Sequence, residues 1–221
     1  MISQKPWLDL VLPQFERTTG PKVLVKYGTS TDLIKRFAAG ETFDVALVSS
    51  LLIDSLLKKG KVAAGTRVDI ASVAVGVAIK RGAPKPDIST ADAFRRALLN
   101  ASSVSHASDG PSGVYLVTLL KQLDIAAEMQ PKLRPVPGGA LVTGPVSKGE
   151  VEVGVITIPF IVLDPGVDLV GPLPHELQQY VVYAAGLSAT AKDSNAATTL
   201  IKHMSSPASA PLIKSQGLDP L

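Results

Sequence analysis

The sequence predicts an α/β protein of two lobes, and three observations point there. Apolar stretches of strand length alternate with stretches of helical period, the pattern of a mainly parallel sheet flanked by helices. Aromatic residues make up only 5% of a chain that is 46% hydrophobic. Ala, Val, Leu and Ile therefore fill the interior, which favours close-packed α/β layers over a β-sandwich. Two long apolar runs, Asp69 to Lys80 and Tyr180 to Ser188, bracket a self-contained α/β segment. At ~3.3 Å per residue each can pass from one lobe into another, and a pair of crossings leaves a ligand cleft between the lobes. The expected division is 1–72 with 187–221 as a discontinuous first lobe and 73–186 as the second.

The elements follow in order. Pro6 to Thr19 reads as a helix with Pro6 at its start, Trp7, Leu8, Val11, Leu12 and Phe15 on one side and Gly20 as the stop. Pro13 inside it predicts a kink. Val23 to Tyr27 reads as a strand, Thr31 to Ala39 as a helix closed by Gly40, and Phe43 to Val48 as a second strand. Leu51 to Lys59 is a helix ended by Gly60, and the long run 69–80 follows. After Ala83-Pro84-Lys85-Pro86, Thr90 caps a helix over Ala91 to Leu99. Ser102 to His106 is a short strand, Ser112 to Leu123 a helix, Leu133 to Val136 a strand, Ala140 to Lys148 a helix and Val151 to Ile156 a strand. Beyond the second long run, Ser194 to Met204 and Ala208 to Gln216 form terminal helices.

Composition narrows the chemistry. The net charge is only +3, and no long basic run accompanies it, so a nucleic-acid surface is not indicated. The absence of cysteine removes disulfides, thiolate metal sites and Cys nucleophiles. His106, His175 and His203 lack the spacing that sets two imidazoles on one metal, and no resident metal or cofactor is expected. There is no Gly-x-Ser-x-Gly elbow, Walker loop or Gly-x-Gly-x-x-Gly turn, and no catalytic residue is assigned. No apolar run reaches the ~18 residues that span a bilayer, and the first seven residues do not open a secretory leader.

What remains is a set of strand-to-helix junctions rich in Gly and Ser: Gly28-Thr29-Ser30-Thr31, Ser108-Asp109-Gly110-Pro111-Ser112-Gly113, and Val136-Pro137-Gly138-Gly139-Ala140. The first N–H groups of a helix have no internal acceptor, and the helix dipole adds positive potential there. A small anion is the guest such a turn accepts. The competing role is helix capping, by Ser30 or Thr31 in the first junction. Tyr183, inside the second crossing, adds a phenol that either packs in the interior or donates to a ligand.

These residues resemble the periplasmic molybdate-binding protein family and, more broadly, the type II periplasmic solute-binding fold. The resemblance is carried by Tyr27-Gly28-Thr29-Ser30-Thr31-Asp32-Leu33, Ala39-Gly40-Glu41-Thr42-Phe43-Asp44-Val45, Pro111-Ser112-Gly113-Val114-Tyr115 and Ser147-Lys148-Gly149-Glu150-Val151-Glu152-Val153-Gly154-Val155. It continues through Tyr183-Ala184-Ala185 and Ser206-Pro207-Ala208 to Gly217-Leu218. It implies a two-lobed monomer that holds a small anion between its lobes and delivers it to an ABC transporter permease in the periplasm. A chain that starts naturally at Met1 would instead stay in the cytoplasm. The ligand-binding residues it implies are Thr29, Ser30, Ser112, Gly139 and Tyr183. The family opens with a secretion signal, a first strand and a Ser-containing turn, and this sequence begins at about that turn. Two stretches, Val136 to Gly139 and Phe43 to Val48, look closer to a divergent branch that also resembles aconitate isomerase. Small polycarboxylates are thus possible ligands, and an isomerase on the same scaffold is the alternative, with Asp109, Glu41 and Tyr183 as its only candidate bases.

Overall fold

A computed structural model describes residues 4–221. The chain divides into two compact units, one running up to Ser72 and resuming at Val182–Leu221, the other Val73–Val181. The boundaries fall inside two strands, β2 (Val68–Lys80) and β7 (Tyr180–Leu187).

The first unit opens with α1 (Lys5–Thr19), which buries Trp7, Leu8, Val11, Leu12 and Phe15 on one face. Pro13 lies on the exposed face and the helix runs through it. Then come α2 (Ser30–Ala38), β1 (Val45–Ser49) and α3 (Ser50–Lys58). The unit is completed by α9 (Ser194–Met204), α10 (Ala210–Ser215) and a two-residue strand β8 (Asp219–Pro220). β1 pairs antiparallel with β7, Val45 opposite Leu187 and Ser49 opposite Tyr183, and β8 pairs with β2 at Ala71 and Ser72. Leu33 of α2, Ala46 and Val48 of β1 and Leu52, Ile53 and Leu56 of α3 close one apolar core.

Val23 to Tyr27, expected as a strand, is not one. Side chains do alternate there, 23, 25 and 27 half-buried and 22, 24 and 26 exposed. The strand pattern is therefore present, but among the described residues no neighbouring strand supplies backbone partners. The Val23 N–H donates to Glu16 Oε1 and the Tyr27 carbonyl accepts from Arg36. An extended segment is a strand only where a ladder completes its hydrogen bonds.

The second unit holds α4 (Ala91–Asn100), β3 (Val104–Ala107), α5 (Pro111–Gln122), α6 (Ala126–Met129), β4 (Leu133–Val136), α7 (Thr143–Lys148), β5 (Val153–Thr157), α8 (Ile158–Val162) and β6 (Val167–Pro172). β3 runs parallel to both β4 and β5, while β2 is antiparallel to β5 and β6. The sheet is thus mixed rather than mainly parallel, because the two long runs return the chain against their neighbours. Phe94 and Leu98 of α4 and Leu116, Leu119 and Leu120 of α5 pack with Val153 and Val155 in its main core. The expected helix 140–148 starts as a 3-10 turn, Gly139–Leu141, and becomes α-helical at Thr143.

Candidate functional site

In the second unit the carboxyl ends of three parallel strands come level: Ala107 pairs with Val136, and His106 with Val155. Each strand is followed at once by a helical turn, α5 after β3, the 3-10 turn at Gly139 after β4 and α8 after β5. The carboxyl edge of parallel strands is where α/β folds form their ligand sites.

The start of α5 is built to offer donors. Gly110 takes φ 82, a conformation that favours glycine, and Pro111 occupies the first turn, where its missing N–H costs nothing. The first intrahelical bond runs from the Val114 N–H to the Gly110 carbonyl at 3.1 Å. The amides of Ser112 and Gly113 therefore have no acceptor within the helix. Gly110 provides no side-chain cap. Ser112 is only 6% exposed. A Cβ on Gly113 would lie 2.0 Å from the Ala107 carbonyl oxygen, so α5 begins hard against the end of β3.

Sequence reasoning missed Thr157. It ends β5 and precedes α8, is 3% exposed, and its Oγ1 is buried without a hydrogen-bond partner among the described residues. An unsatisfied buried hydroxyl needs an explanation, and an incoming acceptor is one. The signal was legible: an apolar strand ending in Thr, then Ile158-Pro159, is the same strand-to-helix junction as the three singled out. Gly139 lies close by, since a Cβ there would meet Ile156 Cδ1 and the Phe160 ring, each at 3.0 Å. Ser112, Gly139 and Thr157 thus share one edge of the second unit. His106 is buried in β3, its Nδ1 2.8 Å from the Ala107 carbonyl.

In the first unit the cap of α2 is Thr29, not Ser30 or Thr31. The Thr29 hydroxyl accepts from the Asp32 N–H while Asp32 Oδ2 accepts from the Thr29 N–H at 3.1 Å, a reciprocal capping box. The Thr29 hydroxyl also donates to Asp32 Oδ2 at 2.8 Å, and that bond together with the Thr29 N–H holds the Asp32 carboxyl below its usual range. Ser30 and Thr31 occupy the first turn, partly exposed. Thr29→Ala is expected to lower stability by ~1 kcal/mol, the usual value of such a cap, in a denaturant melt.

Tyr183 stands in β7 opposite Ser49 and is 3% exposed. Ser49 itself ends β1, is buried, and precedes α3, where its side chain accepts no capping hydrogen bond. Glu41 is engaged elsewhere: it accepts from Arg36 and from Lys26, whose charges and hydrogen bonds hold its carboxyl down from 4.5 to about 2. The folded value lies below the unfolded one, so the contribution is full above pH ~4.5 and is lost as pH falls towards 2. Acid titration of folding should show a shallower loss over that window in Glu41→Gln than in the parent.

The bacterial extracellular solute-binding protein family model matches residues 2–219, nearly the whole chain. The chain belongs to that family. Among curated relatives, aconitate isomerase of a Pseudomonas species is 33% identical over 220 residues, covering 96% of this chain and 82% of that protein. The molybdate-binding protein ModA of Azotobacter vinelandii is 24% identical over 215 residues, covering 94% and 82%. Among solved structures, the Azotobacter vinelandii periplasmic molybdate-binding protein superposes with a TM-score of 0.77 at 16% identity, covering 98% of this chain and 95% of that one. The sulfate-binding protein SubI of Mycobacterium tuberculosis gives 0.78 at 20% identity, covering 98% and 83%. The fold of this solute-binding protein is accordingly the two-lobed α/β fold of periplasmic binding proteins. No described helix is long and apolar enough to cross a membrane.

Proposed function

We propose that this solute-binding protein captures a small organic polycarboxylate or a molybdate-like oxyanion, without turnover, for an ABC importer in the periplasm. The observation that carries this is the edge of the second unit. Two helix-start amides without helical acceptors stand there with the buried Ser112 and the unpartnered Thr157 hydroxyl. Neutral donors at a helix start suit an anion. Ser112, Gly139 and Thr157 in the second unit, with Thr29, Ser30 and Tyr183 in the first, are the proposed ligand contacts.

The 33% relative, whose name gives aconitate as its substrate, favours a polycarboxylate over the oxyanion that the 24% relative names. It also supports the second reading, an aconitate isomerase. A proton-transfer enzyme wants a group tuned near working pH. Glu41, held near 2 by its two cations, is poorly suited as that base.

A thermal-shift panel of citrate, cis- and trans-aconitate, molybdate, tungstate, sulfate and phosphate tests the reading. A ligand at about 100 times its Kd stabilises by ~2.7 kcal/mol, or about 5–11 °C for a chain of this size. Interconversion of the aconitates by the purified protein, lost on mutating Asp109, would decide for the isomerase. Ser30→Ala should weaken the best ligand about tenfold, the low end for a donor to a charged group, because Ser30 is partly exposed. Thr29, not Ser30, carries the cap, so the start of α2 should stay in place. Unchanged affinity on calorimetric titration would remove Ser30 from the site.

A further inference from the structure

His106 of β3 is a buried titratable group, 5% exposed, that the anion reading does not use. Its face of the sheet follows from its neighbours. Val104, Val153 and Val155 belong to the core that includes Leu116, Leu119 and Leu120 of α5. Ala107 and Ile156 belong to a separate core with Val146 of α7 and Ile161 of α8. Side chains alternate along a strand, so His106 and Thr157 both stand on the α5 face. β3 and β5 run parallel with His106 opposite Val155. Thr157 is then one strand across and two residues on, a diagonal of about 8 Å between Cα atoms.

The Ala107 carbonyl ties this ring to the start of α5. Its oxygen lies 2.8 Å from His106 Nδ1 and 2.0 Å from the place a Cβ on Gly113 would take. A carbonyl only accepts, so Nδ1 carries the proton of that bond. In the neutral ring Nε2 is then a bare acceptor. It has no hydrogen-bond partner among the described residues and, unlike Thr157 Oγ1, is not sealed from solvent. One edge of the second unit thus gathers two amides and two hydroxyls that donate, at Ser112, Gly113 and Thr157, and one nitrogen that accepts.

We propose that His106 is a specificity residue that selects a hydroxypolycarboxylate, a ligand with a hydroxyl on the carbon next to a carboxylate. This inference rests on the anion reading above. The α5 amides and the Thr157 hydroxyl donate to the carboxylate oxygens, and the ligand's own hydroxyl donates to His106 Nε2. A ligand with no proton to give sets its lone pairs against that of Nε2 and leaves a mostly buried acceptor unpaired, which is costly. Oxyanions without a proton and polycarboxylates without a hydroxyl are disfavoured on that same ground. Sites built to bond a ligand hydroxyl reject the analogue lacking it far more strongly than an apolar pocket rejects a missing methylene.

The test compares citrate with tricarballylate, the same skeleton without the hydroxyl, by calorimetric titration of the full chain. It is run at about pH 8, above the range in which imidazoles ordinarily take up a proton. Citrate is expected to bind at least about tenfold tighter. His106→Phe removes the acceptor. His106→Asn is too short to reach the Nε2 position yet can still donate to the Ala107 carbonyl, and it serves if the Phe variant does not fold. Either should cut the preference at least about fivefold while tricarballylate affinity stays within about fivefold of the parent. A smaller preference in the parent, a preference that survives in a folded variant, or equal loss of both acids would each overturn this inference and leave the anion reading standing. So would binding of molybdate or sulfate but of neither acid. If none of the four anions binds at about 1 mM, the anion reading falls and this inference with it.

Discussion

Gly113→Ala is expected to lower the melting temperature by about 4–8 °C and to abolish the proposed high-affinity anion binding. The added Cβ would sit 2.0 Å from the Ala107 carbonyl oxygen and 2.9 Å from its carbon. That obstacle is backbone at the end of a buried strand, not the tip of a flexible side chain, so it cannot step aside cheaply. Overpacking of this kind costs ~1–3 kcal/mol, and a backbone obstacle puts it at the upper end. Alanine would normally gain ~1 kcal/mol over glycine in a helix, so the clash decides the sign. At about 2–4 °C per kcal/mol for a chain of this length, the net loss of about 2 kcal/mol gives the stated shift. Affinity goes with it because the only relief is to lift the first turn of α5 away from β3, moving the Ser112 and residue 113 amides off their aim. A calorimetric scan and an anion titration check both parts. A variant that melts like the parent would show that α5 does not begin against Ala107.

Thr157→Val is expected to move stability and affinity in opposite directions. Valine keeps the shape and removes a buried hydroxyl that has no partner among the described residues. Leaving such a group unsatisfied costs ~1–3 kcal/mol, so the ligand-free variant should melt about 2–4 °C higher for ~1 kcal/mol recovered. In the complex proposed above the same hydroxyl would donate to the anion, and losing a hydrogen bond to a charged group costs ~1.5–3 kcal/mol. Affinity should therefore fall roughly 10- to 150-fold, with the upper end expected at so buried a position. A variant that is less stable and binds normally would make Thr157 a structural residue only.

Much of this was legible in the sequence. The order of elements and the strand-to-helix junctions at Ser112 and Gly139 follow from period, punctuation and glycine placement. Four things were hidden, each for a physical reason. Val23 to Tyr27 has the alternation of a strand, but alternation reports which side is buried, not whether a partner strand exists. The cap of α2 fell on Thr29 because its spacing to Asp32 closes a capping box, a three-residue relation that a search for hydroxyls alone overlooks. Thr157 was passed over because its junction has no glycine, and its lack of a hydrogen-bond partner is a property of the packed interior. The mixed sheet was hidden too, since strand direction is set by where a chain returns.

The fixed φ of Pro111 and the positive φ of Gly110 have a further meaning. The first turn of α5 is in place before any ligand arrives, so its donors need no ordering when one does. Capture at this turn, as proposed above, would then require no local folding. For an anion so bound, little conformational entropy would be spent on recognition.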